Sequence, residues 1–193
     1  MISTVILVTG HPATGKTTLS HKLAAALQLP LIGKDIIKEC LADAMPRPPS
    51  VTNPTEWSRL LSRGTWKLLY QQTEHLMKAS VSHIVEANFD PIYADAHWNL
   101  LKQQYTFKLI QIRCECEATT ILKRYQERIQ NGGRHQIHVN AAPDPNFHQS
   151  IQSHLGWVDM VGPRFSFNSA KNVDQSEAVL IKALQNELIG NGT

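Results

Sequence analysis

Residues Gly10 to Thr18 read GHPATGKTT, which sets Gly10, Gly15, Lys16 and Thr17 in the phosphate-binding pattern G-x-x-x-x-G-K-[ST]. The glycines let the backbone curl so that successive N–H groups point at phosphate oxygens. The helix expected to follow adds the partial positive charge of its N-terminus. Lys16 is expected to reach the β- and γ-phosphates of ATP, and the Thr17 hydroxyl to be a ligand of Mg²⁺. His11, Pro12, Ala13, Thr14 and Thr18 complete the expected nucleotide-binding stretch.

Two acids stand where such a loop needs partners. Asp35, in GKDIIKE, follows a short apolar run and opens a helix. A carboxylate there can orient an attacking hydroxyl or accept its proton, and Asp is also a preferred N-cap, a compatible role. Glu86 ends the run HIVE, and a buried strand seldom ends in an acid without a partner. It is expected to hold Mg²⁺, through water, or to contact the acceptor. Asn88 and Asp90 follow in the same loop, Asp90 reading as a turn or cap residue before Pro91.

Arg124 and Arg128 lie four apart on one helix face, and Arg134 follows the Gly132-Gly133 pair. Arginines there suit a segment that clamps the transferring phosphate and excludes water. Cys114-x-Cys116 with His135-x-x-His138 suits zinc poorly, because the cysteines have one intervening residue where structural zinc pairs usually have two to four. Trp57 and Trp66 read as helix packing rather than as a base-stacking platform.

These groups need a scaffold that gathers them at one edge. Thr4–Thr9, Leu31–Ile32, His83–Ala87, Phe107–Ile112 and Arg164–Phe167 read as short buried strands. Helical spacing begins at Lys16 and at Asp35, where Ile36, Ile37, Cys40 and Leu41 are expected to face inward. Further helices are expected over about 55–79, 90–104, 117–130, 146–156 and 175–189, with a proline-rich loop from Pro46 to Pro54. Strands alternating with helices predict a three-layer α/β fold, a parallel five-stranded sheet with helices on both faces and a helical lid over about 117–145. In such sheets ligands sit beyond the carboxyl ends of the strands. One domain over residues 1–193 is expected, since 193 residues suit one domain better than two.

The totals exclude little but agree. A formal charge of +3 is too small and too scattered for a nucleic-acid stripe. Three cysteines fit a reducing compartment better than a disulfide framework. No apolar run approaches membrane length, and a cytoplasmic location is expected.

The phosphate loop together with GKDIIKE, IVEANF and RYQERIQNGGRHQIH resembles the P-loop kinases of the zeta-toxin, chloramphenicol-phosphotransferase and polynucleotide-kinase type. The resemblance runs from Val5 to about His138. It implies a P-loop NTPase core with a lid, phosphate and Mg²⁺ binding by Lys16 and Thr17, Asp35 as the base-like carboxylate of the acceptor site, and Arg124 and Arg128 as lid arginines. It places Phe167 to Ser169, with Asn168, near the adenine. The sequence departs from the pattern at His11, at Glu86 where relatives often have Asp, and in the loop 46–54 with the helix after it. The expected activity is transfer of the γ-phosphoryl group of ATP to a hydroxyl of a small-molecule acceptor. A polynucleotide 5′-hydroxyl kinase is a second expectation, not favoured by the charge, and a nucleotide-dependent regulatory ATPase or switch a third.

Overall fold

The structure, a computed structural model, describes residues 2–133, 135–138 and 157–189. Strands β1 (Ser3–Gly10), β2 (Leu31–Gly33), β3 (His83–Glu86), β4 (Phe107–Glu115) and β5 (Arg164–Asn168) form one sheet in the order β2-β3-β1-β4-β5. Every pairing is parallel. The helices are α1 (Lys16–Leu27), α2 (Lys34–Ala44), α3 (Pro54–Lys78), α4 (Pro91–Gln104), α5 (Ala118–Gln130) and α6 (Val173–Ile189). This is the α/β, three-layer P-loop NTPase fold, with helices on both faces of the sheet. The helix expected over 146–156 lies outside the described residues. Among the described residues, no helix is long and apolar enough to cross a membrane.

The central strand shows why a continuous apolar run was needed. In β1, Val5 and Leu7 point into a core shared with α3 and α4, whereas Ile6 and Val8 point into one shared with α1 and α6. All four side chains are at most 1% exposed. Burying each contributes roughly 1.5–3 kcal/mol relative to leaving it in water. The core against α3 and α4 is aromatic. Phe89 lies 5.7 Å from Trp66 and 6.0 Å from Trp98, and Tyr70 stacks on His97 at 3.6 Å, all centroid to centroid. Trp66 therefore packs, as its helical setting predicts.

Register aligns the strand ends that matter. Gly33 pairs with Glu86, Val8 with Glu86, Gly10 with Cys114, and Glu115 with Asn168. The chain leaves all five strands at one edge, so the phosphate loop is flanked by the exits of β3 and β4. Two bonds tie the β3 exit to β1: Ala87 N to Val8 O at 3.1 Å, and Phe89 N to Thr9 Oγ1 at 3.1 Å.

Two expectations need correction. Strand β4 runs on to Glu115 rather than stopping at Ile112, because Arg113, Cys114 and Glu115 pair with β5. In α2, Ile36 (42% exposed) and Cys40 are exposed, and the buried residue is Lys38. Helix α3 packs against the opposite side of α2, and Lys38 survives burial by donating to Ser58 Oγ at 2.7 Å. In α3, Leu60 is exposed, and the inward stripe is Leu61, Thr65, Leu69, Thr73 and Met77. Both buried threonines satisfy their hydroxyls on the carbonyl four residues back.

Candidate active site

The phosphate loop turns between β1 and α1 through left-handed backbone at Ala13 (φ 66°) and Gly15 (φ 83°). Gly10 has φ 146°, and a Cβ there would lie 2.5 Å from the carbonyl oxygen of Cys114. Only glycine lets β1 and β4 stay this close where the loop leaves the sheet. Inside the loop, Thr14 donates from its N–H (3.3 Å) and its hydroxyl (2.8 Å) to His11 O, and Lys16 Nζ donates to the same oxygen at 3.0 Å. Helix α1 has no side-chain N-cap and no acid in its first turn. Its leading N–H groups are thus left for an anion.

Lys16 is 7% exposed. Burial pushes its ammonium below the usual lysine range, and the nearby Glu86 and Asp35 carboxylates pull it back only in part. A phosphate would supply the missing counter-charge. Glu86 is 3% exposed, and burial raises its carboxyl above the ordinary range despite Lys16. Its hydroxyl partner, Thr17 Oγ1, stands 3.5 Å from Oε2. A buried acid paired this loosely beside a threonine hydroxyl suits a hard cation, which oxygen ligands bind. The residues present therefore fit Mg²⁺, with Thr17 and Glu86 as the groups that would hold it, directly or through water.

Asp35 lies in the first turn of α2, but the N-cap is Gly33 and makes no side-chain bond. The Asp35 carboxylate instead meets Lys34 Nζ at 2.7 Å. Partial burial pushes Asp35 upward, yet the Lys34 cation outweighs it and holds the carboxyl below its usual range. Lys34 is itself steadied over the Trp66 ring, 5.7 Å from its centroid. Asp90 does cap, accepting from Ile92 N at 3.1 Å at the start of α4.

Two cavities flank the loop. One, of about 420 Å³, is lined by Thr18, Leu19, Arg124, Phe167, Ser169 and Val173 among others, and suits a nucleoside. The other, of about 320 Å³, gathers Lys16, Thr17, Asp35, Glu86 and Arg128, with residues 135 and 138 opposite α2. Ala13, Gly15, Thr18, Arg128 and Gly133 line both. The sheet edge thus brings together residues far apart in the chain, such as Thr18 and Val173 in the first cavity and Lys16 and His138 in the second.

The arginines divide. Arg124 is tied down: Nη1 donates to Ser169 Oγ at 2.7 Å and to Ala13 O at 3.4 Å, and Nη2 to Ser169 O at 2.9 Å. It joins α5, the phosphate loop and the exit of β5. Arg128 is exposed and meets both cavities. Arg134 lies outside the described residues. Asn168 does not line the first cavity; its Oδ1 accepts from Ala170 N at 2.9 Å and closes the turn, while its neighbours Phe167 and Ser169 form the wall.

Sequence reasoning missed Glu39, His135 and His138 as parts of the second cavity. His138 Nε2 lies 2.8 Å from Glu39 Oε1, and His135 Nε2 lies 3.0 Å from Asp43 Oδ1. The spacing of Asp35, Glu39 and Asp43 on one helical face was the available signal. Cys114, which the sequence pairs with these histidines as a weak zinc motif, is buried beside Gly10, and burial raises its thiol to about 12. Cys40 is exposed on α2 and Cys116 half-buried after β4.

Comparison with known proteins agrees with this geometry. No curated protein matches the chain. A Chloroflexus aurantiacus protein, provisionally named a kinase, is 29% identical over 96% of this chain and 98% of its own, with a TM-score of 0.84. Kti12 of Chaetomium thermophilum, solved with ADP-AlF3, is 14% identical with a TM-score of 0.61, covering 94% of this chain and 97% of that one. A gluconokinase from Sinorhizobium meliloti is 15% identical with a TM-score of 0.53, covering 100% and 98%. These last two show the fold. A family model of the AAA domain matches residues 5–144, most of the chain. The chain belongs to the AAA domain family.

Proposed function

We propose that this protein is an ATP-dependent kinase that moves the γ-phosphoryl group to a hydroxyl of a small molecule. The observation that carries the reading is the joining of two cavities across one phosphate loop, one sized for a nucleoside and one holding an ionised carboxylate, Asp35, near Lys16. A pure switch needs the first cavity and the loop; a second, carboxylate-bearing cavity suits an acceptor. The 29% identical Chloroflexus protein, provisionally named a kinase, lends support. So does the resemblance to the zeta-toxin, chloramphenicol-phosphotransferase and polynucleotide-kinase group.

In this reading the loop N–H groups and Lys16 bind the phosphates, and Arg124 fixes the wall beside the nucleoside. Arg128, reaching both cavities, meets the transferring group. Asp35 orients the acceptor hydroxyl and takes its proton. The acceptor oxygen forms a bond to the γ-phosphorus, the bond from that phosphorus to the β–γ bridging oxygen breaks, and ADP leaves with that electron pair. Mg²⁺ at Thr17 and Glu86 supplies charge neutralisation of the β- and γ-oxygens when bound.

The test is incubation with γ-labelled ATP, Mg²⁺ and a metabolite extract, with Lys16→Ala as control. A phosphorylated small molecule that vanishes in the control is the expected result. Label released only as free phosphate would transfer the case to a regulatory ATPase, and label on the 5′ ends of added oligonucleotides to a polynucleotide kinase.

A further inference from the structure

The second cavity has two unlike ends. At the phosphate end stand the cations Lys16 and Arg128, with Thr17 and Glu86. Leading away from the phosphate end the wall is α2, where Asp35, near Lys16, and Glu39 lie one turn apart and both line the cavity. His138 bonds Glu39 at 2.8 Å, but burial pushes its imidazole below the usual range, so at neutral pH it contributes a hydrogen bond and no charge. Asp43 continues the same face one turn further, bonded to His135.

Neither lysine of α2 lines the cavity, though Lys34 offsets the charge of Asp35. Lys34 is held on Asp35 and over Trp66, and Lys38 is buried with Ser58 among its partners. Arg47 lies in an adjoining cavity, with His135 between. Among the described residues, the cations that line the cavity sit at its phosphate end; at the other end Asp35 is offset by Lys34, and Glu39 keeps its charge with the neutral His138 bonded to it.

Resting on the kinase reading above, we infer that the acceptor is a hydroxyl compound with no carboxylate or phosphate of its own, and that an ammonium group on it, seated against Glu39, is favoured: a polyhydroxy amine of the amino-sugar or aminocyclitol class. An anionic acceptor would bring its charge against Glu39 in a partly desolvated cavity, and like charges so placed are strongly disfavoured. An ammonium gains charge-assisted hydrogen bonds from the same wall. The cavity, at about 320 Å³, is at the small end of ligand pockets and suits a single ring. The bonds made and broken are those of the transfer above, with the acceptor's hydroxyl, not its amine, taking the phosphoryl group.

The experiment uses the full chain with ATP and Mg²⁺ and four panels of probes: amino sugars and aminocyclitols, neutral sugars and cyclitols, sugar acids, and sugar phosphates. ADP release and product mass are read for each. The expected order of kcat/KM is amine, then neutral, then acid or phosphate, with roughly 100-fold between the ends. Glu39→Gln is expected to cut the preference for amine over neutral acceptor by roughly 10-fold or more, through KM, with ATP affinity kept. His138→Gln, which keeps the Glu39 charge, is expected to retain the preference. A sugar acid or sugar phosphate as the best acceptor overturns the inference and leaves the kinase reading standing. So does a Glu39→Gln enzyme that keeps the amine preference, or a His138→Gln enzyme that loses it equally. ATP bound but no probe of any panel phosphorylated counts against both readings together.

Discussion

Arg124 and Arg128 look equivalent in the sequence, one turn apart on α5, yet the structure separates their tasks. Arg124 makes two short bonds to Ser169, at 2.7 and 2.9 Å, and a longer one to Ala13 O at 3.4 Å. Hydrogen bonds from a charged donor contribute roughly 1.5–3 kcal/mol each, and this guanidinium is only part-buried, so the two short ones together should contribute about 2–3 kcal/mol. In a domain of this size about 1 kcal/mol moves Tm by 2–4 °C, so Arg124→Ala should melt roughly 4–12 °C lower. Because Ser169 lines the nucleoside cavity beside the phosphate loop, ADP affinity should fall with it. Arg124→Lys should recover little, since an ammonium cannot span both Ser169 acceptors as the fork does. Arg128→Ala should instead leave Tm nearly unchanged, keep ADP affinity and lower kcat. The assays are thermal melts, ADP titration and single-turnover transfer on the same four proteins. An Arg124→Ala protein that melts within about 2 °C of the parent and binds ADP normally would refute the assignment of Arg124 as the strut of the nucleoside wall.

Other perturbations follow from the same geometry. Gly10→Ala combines a φ of 146° with a Cβ 2.5 Å from Cys114 O, and should lose about 3 kcal/mol or more in urea unfolding. Glu86 is raised by burial in the folded state, so the stability it permits is complete below the ordinary carboxylate value and is lost as pH rises through the raised one. Glu86→Gln without ligand should therefore melt above the parent at pH 8 and match it near pH 4, while its nucleotide binding becomes less dependent on Mg²⁺. His83, fully buried with Nδ1 on Val81 O at 2.8 Å, has its pKa lowered by burial. Its contribution is present above the ordinary imidazole value and is lost as pH falls below it, so His83→Leu should flatten the loss of Tm between pH 7 and 5.

The phosphate loop was legible because all its chemistry lies in nine consecutive residues. Asp35 and Glu86 were legible because strand ends in a parallel sheet share an edge, so position in an element fixes position in the site. Periodicity went further than its warrant in α2: it shows that a helix has two faces but not which one the neighbouring helix covers. Hence Ile36 and Cys40 were read as facing inward and are exposed, whereas Lys38 is buried. The strut from Arg124 to Ser169 and the bond from His138 to Glu39 join residues 45 and 99 positions apart. No local pattern marks such contacts; they exist only once β5 pairs with β4 and residues 135–138 reach α2. At Asn168 the error was one residue, the difference between a side chain that closes a turn and neighbours that face a ligand.

The three thiols grade themselves by access. Cys40 is exposed beside Glu39, Cys116 half-buried, and Cys114 sealed where β1 and β4 meet beneath the phosphate loop. A maleimide should label Cys40 first and so place a fluorophore on α2, next in sequence to Glu39, which lines the second cavity, without an added mutation. Cys114 should react only when the strand pair opens, so its alkylation rate times the local breathing of the sheet, and nucleotide should slow that clock.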